Sequence, residues 1–244
     1  MTSNLLGISV TGLRAAQTAL NTAGHNIANA GVDGYSRQRV ITETNPASLQ
    51  GGGYVGNGTN VASIERVAND FVDAQLRFDT TLYNDLDVYQ KNIDQLDSLL
   101  SDVSTGLSSG MESFFASVQN GADDPTSIPA RQLIVSEAEN LADRFNSIYS
   151  RIESIEKNVK SEMGTAVTEL NALTANIADL NRKVSDALGT GAQPNDLIDQ
   201  RQEAIRKLSE IVSIQVIEQG FGQMNIVVAK LGDRHGSTPT RVGG

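Results

Sequence analysis

The longest regular pattern in the chain runs from Ile128 to Leu188. Apolar residues recur at Ile134, Ala138, Leu141, Phe145, Ile148, Ile152, Ile155 and Val159, then at Met163, Ala166, Leu170, Leu173, Ile177, Leu180 and Val184. The steps alternate four and three, with one four-four step from Val159 to Met163. This heptad seam predicts a single long helix that needs cover along its length. Pro129 is its last proline, and Gly164 its only glycine before Gly189. At 1.5 Å per residue the helix is on the order of 90 Å long. A second near-heptad series, Val72, Leu76, Leu82, Leu86, Tyr89, Ile93, Leu96, Leu100 and Val103, predicts another long helix from about Arg66, broken by Gly106 and Gly110. A short amphipathic helix follows, marked by Met111, Phe114, Phe115 and Val118, then a turn from Gly121 to Pro129. Beyond Gly189, Asn195 or Asp196 is expected to cap a last helix bearing Leu197, Ile198, Ile205, Leu208, Ile211 and Val212. Its seam and that of the second helix are expected to pack on the rod helix.

Before these helices, a weaker seam of Leu6, Val10, Leu13, Leu20 and Ile27 predicts a first helix with Ser3 as N-cap. Gln17 and Gly24 take the remaining heptad positions. Gly12, Ala15, Ala16, Ala19 and Ala23 lie beside the seam and allow close approach of another helix. Gly7 and Gly12 each cost roughly 1 kcal/mol relative to alanine, so this helix is expected to order fully only when neighbours pack on it. Gly31 is expected to take the left-handed C-cap. Tyr35–Thr44 and Val61–Ile64 read as strands around a Pro46–Gly58 loop. Ser213–Glu218 and Gln223–Val228 read as two further strands joined at Gly220–Gly222.

These elements make a mainly α protein. The expected form is an elongated antiparallel helical bundle with long heptad-bearing helices, a small β-hairpin near 35–64 and the start of a β region at the C-terminal end. The expected division is an assembly helix over 1–34, a hairpin and loop over 35–65, a long-helix domain over 66–212, the first strands of a β-rich domain over 213–229, and a polar tail without a recognisable element over 230–244.

Composition narrows the function. The 244 residues carry a net charge of −10, which argues against nucleic acid as a partner, because phosphate binding draws on Lys and Arg. With no cysteine there is neither a disulfide framework nor a thiolate metal site. No apolar run approaches the roughly 20 residues of a membrane span, and no cleavable signal peptide opens the chain. Aromatic residues make up 5% and tryptophan is absent, which suits thin helical seams better than a thick core.

Candidate chemistry is sparse. The glycine-rich stretch Gly51–Gly58 lacks the Gly-Lys-Ser/Thr of a phosphate loop. His25 and His235 have no paired carboxylates in sequence that would suggest a metal site. Asp123-Asp124 sits in a turn before Pro125, and no serine occupies a Gly-x-Ser-x-Gly elbow. No cofactor, metal or catalytic set is expected.

Three stretches carry something more specific. Asn26-Ile27-Ala28-Asn29-Ala30-Gly31-Val32-Asp33-Gly34-Tyr35-Ser36-Arg37-Gln38 resembles the N-terminal signature of the flagellar rod, hook and hook-associated axial proteins. In that family an Asn-Ile-Ala-Asn run leads to Gly-Tyr; Val32-Asp33 stands here where Thr-Pro is common. The Tyr-Ser-Arg-Gln ending resembles the hook-associated branch. So do Asp124-Pro125 with Ala130-Arg131-Gln132 and Ala142-Asp143-Arg144-Phe145-Asn146, and Pro194-Asn195-Asp196-Leu197-Ile198-Asp199-Gln200-Arg201 leading into Ile214-Gln215-Val216. The resemblance covers roughly residues 3–228.

The resemblance implies a structural component of the bacterial flagellum, at the hook–filament junction and needed for filament assembly. It implies an extracellular place, reached through the flagellar type III export apparatus without a cleaved signal. The implied partners are further copies of the chain in ring-like layers, the hook protein, the next hook-associated protein and an export chaperone. It also implies a longer chain, with a β-rich domain and a C-terminal helix that pairs with the first. The residues expected to serve assembly are Leu6, Val10, Leu13, Leu20 and Ile27, with Asn26, Asn29, Gly34, Tyr35 and Arg37. For Tyr35 and Arg37, anchoring within the chain's own domain weighs equally with contact to a neighbour. A hook or rod subunit, or a cytosolic coiled-coil interaction protein, are the alternatives.

Overall fold

A computed structural model describes residues 2–101, 106–191 and 193–228. Val103, His235 and the 230–244 tail lie outside the described residues. Five helices and three two-stranded antiparallel pairs are described: α1 (Thr2–Ala28), β1 (Gln38–Thr44), β2 (Ser48–Gln50), β3 (Gly53–Val55), β4 (Thr59–Arg66), α2 (Asp70–Ser101), α3 (Leu107–Asp123), α4 (Ile128–Gly189), α5 (Asn195–Ile211), β5 (Ile214–Glu218) and β6 (Met224–Val228). The protein is mainly α, as the periodicities require. Contacts divide it into two compact units, Met1–Leu82 with Leu170–Gly244, and Tyr83–Glu169.

In the first unit the hydrophobic core lies where the end of α4 meets α5. Ile177 and Leu180 pack with Ala204, Ile205 and Leu208, and alternate residues of the last hairpin, Ile214, Val216, Met224 and Ile226, close over them. Ile205 and Val184 are fully buried. Gly222, at φ 70°, belongs to the turn of this hairpin, and a Cβ there would stand 2.3 Å from Leu188 Cδ1. A side chain there would be strained at positive φ and would displace the Leu188 methyl. Buried Arg201 ties the pieces together: its Nη1 donates to Asn181 Oδ1 at 3.0 Å and to the Gly222 carbonyl. Burial, then the nearby charge of Arg66, lowers the proton affinity of this guanidinium.

In the second unit α3 lies close against α4. A Cβ on Gly110 would stand 2.8 Å from Arg144 Cδ and 3.2 Å from Leu141 Cδ1, and one on Gly121 would stand 2.5 Å from Ile134 Cδ1. Gly110 therefore does not break the helix; it sits inside α3 as the contact point with α4. Arg144 Nη1 donates to the Gly106 carbonyl at 3.2 Å and to Ser109 Oγ at 3.1 Å. Ser127 caps α4, its Oγ accepting from Ala130 N at 3.3 Å. Arg131 fastens the preceding turn through two bonds to the Pro125 carbonyl, at 3.0 and 2.6 Å.

Several expectations need correction. The apolar seam of α2 does not face inward: Val72, Leu76, Leu86, Tyr89 and Ile93 are all exposed. In the first unit α2 meets α5 through polar groups instead, Thr81 Oγ1 donating to the Ser209 carbonyl at 2.7 Å and Arg77 Nη1 to Gln202 Oε1 at 3.4 Å. Along α4, Phe145, Ile152 and Met163 remain exposed, so its seam is fully covered only toward its C-terminal end. Asn195 and Asp196 stand in the first turn of α5 and cap nothing; their side chains are spent on tertiary bonds. The Pro46–Gly58 loop contains the small β2–β3 hairpin, turned at Gly51 with φ 57°. Strand β1 starts at Gln38 because the Ser36 amide is held by Asp199. Ser3 lies inside α1, and the left-handed glycine of the following turn is Gly34, not Gly31.

Candidate assembly site

Helix α1 turns its polar side inward. Ala15 and Thr22 are buried, and Ile8, Thr11 and Thr18 are partly buried. These positions lie about 160–180° around the helix from the Leu6–Ile27 seam. A polar face can be covered because its hydroxyls are satisfied locally. Thr11, Thr18 and Thr22 donate to the carbonyls of Ile8, Arg14 and Thr18 at 2.7, 3.0 and 2.9 Å. Thr11 Oγ1 also accepts from Thr59 N at 3.3 Å. Gly58, at φ 87°, lets the β1–β4 hairpin approach, since a Cβ there would clash with that hydroxyl at 2.2 Å.

The seam itself faces solvent. Leu6, Val10, Leu13, Leu20 and Ile27 are 65, 44, 69, 73 and 78% exposed. The helix thus carries an exposed apolar stripe, interrupted at Gln17 and Gly24, that no other described element covers.

The lower end of α1 is held by a polar network. Asn26 grips both backbone groups of Gln38: its Nδ2 donates to the Gln38 carbonyl and its Oδ1 accepts from Gln38 N, each at 2.8 Å. The same oxygen accepts from Tyr35 Oη at 2.7 Å. Asn29 Nδ2 donates to the His25 carbonyl at 3.0 Å, satisfying a helix-end acceptor. Tyr35 lies edge-on to His25, with ring centroids 5.6 Å apart. Burial, then the charges of Asp196 and Asp199, raises the pKa of its phenol.

The network continues into α5. Arg66 Nε meets Asp199 Oδ1 at 2.7 Å, with the two side chains only 13 and 6% exposed. Asp199 Oδ2 takes the Ser36 amide at 2.9 Å, and Arg66 Nη2 donates to Ser36 Oγ at 3.2 Å. Gln38 Nε2 donates to Asp196 Oδ1 at 2.7 Å, and Asn195 Nδ2 to the Ile64 carbonyl at 2.8 Å. Gly34, at φ 76°, passes so close to α5 that a Cβ would stand 2.7 Å from Glu203 Cβ. Glu203 is itself held ionised, its pKa lowered first by the hydrogen bonds from Arg206, at 2.8 and 2.7 Å.

Two of the sequence stretches are thus one site. The Asn26–Gln38 turn and the Pro194–Arg201 stretch, more than 150 residues apart in sequence, are bonded directly to each other. Of the expected residues, Asn26, Asn29, Gly34 and Tyr35 belong to this anchor, the five apolar ones form the stripe, and Arg37 is exposed, its carbonyl accepting from Val67 N at 2.8 Å. Gln38, Arg66, Asn195, Asp196 and Asp199 were not expected in it. The signal for the last three was an amide and a carboxylate side by side in the first turn of a helix, with a second carboxylate three residues on. No group of His, Cys, Asp or Glu among the described residues is arranged to hold a metal, and no described helix is long and apolar enough to cross a membrane.

Residues 6–35 match the flagella basal body rod protein family, a match centred on the stripe and the turn. Residues 93–235, more than half of the chain, match the flagellar hook-associated protein FlgK helical domain. The chain belongs to the FlgK family. It is 36% identical over 232 residues to flagellar hook-associated protein 1 of Salmonella typhimurium, covering 93% of this chain and 41% of that protein. Against flagellar hook-associated protein 1 of Bacillus subtilis the identity is 33% over 226 residues, covering 88% and 45%. The flagellar hook junction protein FlgK from Burkholderia pseudomallei has a similar structure, with a TM-score of 0.60 at 27% identity over 69% of this chain and 29% of that one. The chain therefore spans about two fifths of the length of such relatives. The FlgK helical-domain match sets aside the rod, hook and cytosolic alternatives.

Proposed function

We propose that this FlgK-family chain carries the assembly portion of a structural protein at the junction of flagellar hook and filament. Its work is binding, with no catalytic step. The observation that carries this is the division of labour in α1: a polar face fixed to the chain's own hairpin and α5, and an ordered apolar stripe left for partners. Those partners are further copies in a ring-like layer, with the hook protein on one side and the next hook-associated protein on the other. The molecule reaches the cell exterior through the flagellar type III apparatus, with an export chaperone and without a cleaved signal. In this reading the first 34 residues are the assembly element, held in place by the β1–β4 hairpin and α5. Restoring the full-length product to a non-motile deletion strain tests this. Filaments should regrow on hooks with the parent protein and fail with Leu13→Asp/Leu20→Asp. Wild-type filaments in that double variant would overturn the role given to α1.

A further inference from the structure

Among the described residues nothing requires most of the glycines of the β2–β3 hairpin. Of Gly51, Gly52 and Gly53 only Gly51 has a positive φ, and a Cβ on Gly52, Gly53 or Gly56 would meet nothing within 4 Å. Glycine in a strand without such a need marks a place where another backbone comes close. The rest of the hairpin suits such a contact. Leu49 and Tyr54 stand directly opposite each other across it and are 70 and 78% exposed. No charged residue occurs from Thr44 to Ile64, in a chain of net charge −10. The base is tied by side chains. Asn57 Nδ2 donates to the Pro46 carbonyl at 2.6 Å, Asn45 Nδ2 to the Asn57 carbonyl at 3.1 Å, and Ser48 Oγ to Asn57 Oδ1 at 3.2 Å.

An open cleft of about 410 Å³ lies at the other end of the β1–β4 pair, beside His25. Val32, Leu173, Leu180 and Ala204 give it apolar walls, and Asp33 and Asp196 stand on its rim. Asp33 is exposed, and its side chain has no partner among the described residues. Asp196 uses one carboxylate oxygen for Gln38 and His25, which leaves the second without a partner among them. Apolar walls under spare carboxylate oxygens fit a tyrosine, whose ring packs while its hydroxyl donates. The hairpin leaves the β1–β4 pair at the Thr44–Thr59 end, beside Thr11, about 20 Å along α1 from His25. Held by its base there, it cannot fill the cleft of its own copy. Thr11 and His25 lie about 110–160° around α1 from the Leu6–Ile27 seam, so a helix covering that seam leaves hairpin and cleft open. We propose that the cleft receives the hairpin tip of a second copy. Leu49 and Tyr54 lie on its apolar walls, the Tyr54 hydroxyl donates to the Asp33–Asp196 rim, and Gly52 and Gly53 let the two backbones close. Tip and cleft are different surfaces, so the contact is heterologous, the kind that propagates into a closed ring or a helical layer. This deepens the assembly reading above and rests on it.

These 244 residues hold no cysteine, so an introduced disulfide reads the contact. Full-length products carrying Gly52→Cys, at the tip, or Gln200→Cys, on the cleft, are produced together and separately in filament-bearing cells, then oxidised. A disulfide-linked dimer should form only when both are present. Adding Tyr54→Phe should cut its yield about tenfold, as expected for losing a hydrogen bond to a charged group. Adding Gly53→Val should abolish it. The purified Gly53→Val protein should nonetheless unfold at the parent's urea midpoint, because a Cβ there meets nothing within its own chain. A lowered midpoint would give the glycine a reason inside the fold and overturn the proposal. Dimers between two Gly52→Cys tips in place of the mixed one, a mixed dimer indifferent to either added change, or no dimer in cells that still grow filaments would each overturn it too. Those results leave the assembly reading standing, since that reading falls only if Leu13→Asp/Leu20→Asp grows filaments.

Discussion

Helices α1 and α5 belong to the same compact unit, meet where His25 faces Asp196, and use hydrophobicity in opposite ways. Helix α5 is rich in charge, yet Asn195, Asp199, Arg201, Ala204, Ile205, Leu208 and Ser209 are all buried along it. Helix α1 is ten residues longer and richer in apolar side chains, yet Leu6, Leu13, Leu20 and Ile27 lie in solvent. In α5 the buried polar side chains Asn195, Asp199, Arg201 and Ser209 each make hydrogen bonds, Arg201 Nε alone among their buried atoms lacking one among the described residues, and such pairing lowers the cost of burying them. In α1 the threonines bond to their own helix, so the polar face can dock and the apolar face stays free. The contrast teaches that composition tells how much apolar surface an element carries, but not which molecule covers it.

The largest effects should come from α5. Asp199→Ala leaves Arg66 and the Ser36 amide without their acceptor in a nearly closed site, and should cost about 3–5 kcal/mol of unfolding free energy. Urea denaturation followed by circular dichroism reads it directly. Ile205→Ala opens a cavity at a fully buried position and should cost about 2–5 kcal/mol. If both variants unfold at the parent's midpoint, α5 is not the fixed element that the comparison makes it.

Much of this was legible in the chain. The α4 seam located that helix to within one residue of its observed end, because nothing but a helix satisfies fifteen apolar positions at alternating four and three steps. The stripe on α1 was legible for the same reason. What periodicity could not supply was the partner of each face. The α2 seam looks like the α4 seam in sequence and ends up exposed, since Thr81 and Arg77 set the face turned toward α5. Asn195 and Asp196 have the chemistry of caps, and only the three-dimensional proximity of Gln38 and Ile64 diverts them. Gly31 and Gly34 are indistinguishable as turn glycines until α5 stands against one of them.

Intermediate effects fall on the turn that links the two helices. Gly34→Ala places a side chain at positive φ and against Glu203, and should cost about 1–3 kcal/mol. Tyr35→Phe removes the bond to Asn26 and should cost about 1 kcal/mol near neutral pH. It should also change the pH dependence. The folded phenol has a raised pKa, so as pH climbs past the ordinary tyrosine value of about 10 the unfolded chain releases its proton first. Stability then falls with rising pH until the folded phenol also ionises. Urea midpoints across that alkaline range should therefore drop less steeply in Tyr35→Phe than in the parent. Equal slopes would mean that neither burial nor the charges of Asp196 and Asp199 hold the Tyr35 proton in the folded chain.

The smallest expected change in stability is the one that tests the comparison hardest. Leu13→Ala with Leu20→Ala removes two large apolar side chains, and in α5 such a pair would be ruinous. In α1 both are about seven-tenths exposed, so the isolated chain loses almost no burial, and alanine is the better helix former. The double variant should unfold within about 0.5 kcal/mol of the parent. Amide exchange adds a second reading: with few tertiary contacts on its outer face, α1 should exchange faster than α5 in dilute chain, in both parent and variant. A loss of about 2–5 kcal/mol instead, the size seen for truncated core leucines, would mean the stripe is already covered in the free molecule. The apolar face of α1 would then be a core like that of α5, and no longer a surface held open for a neighbour.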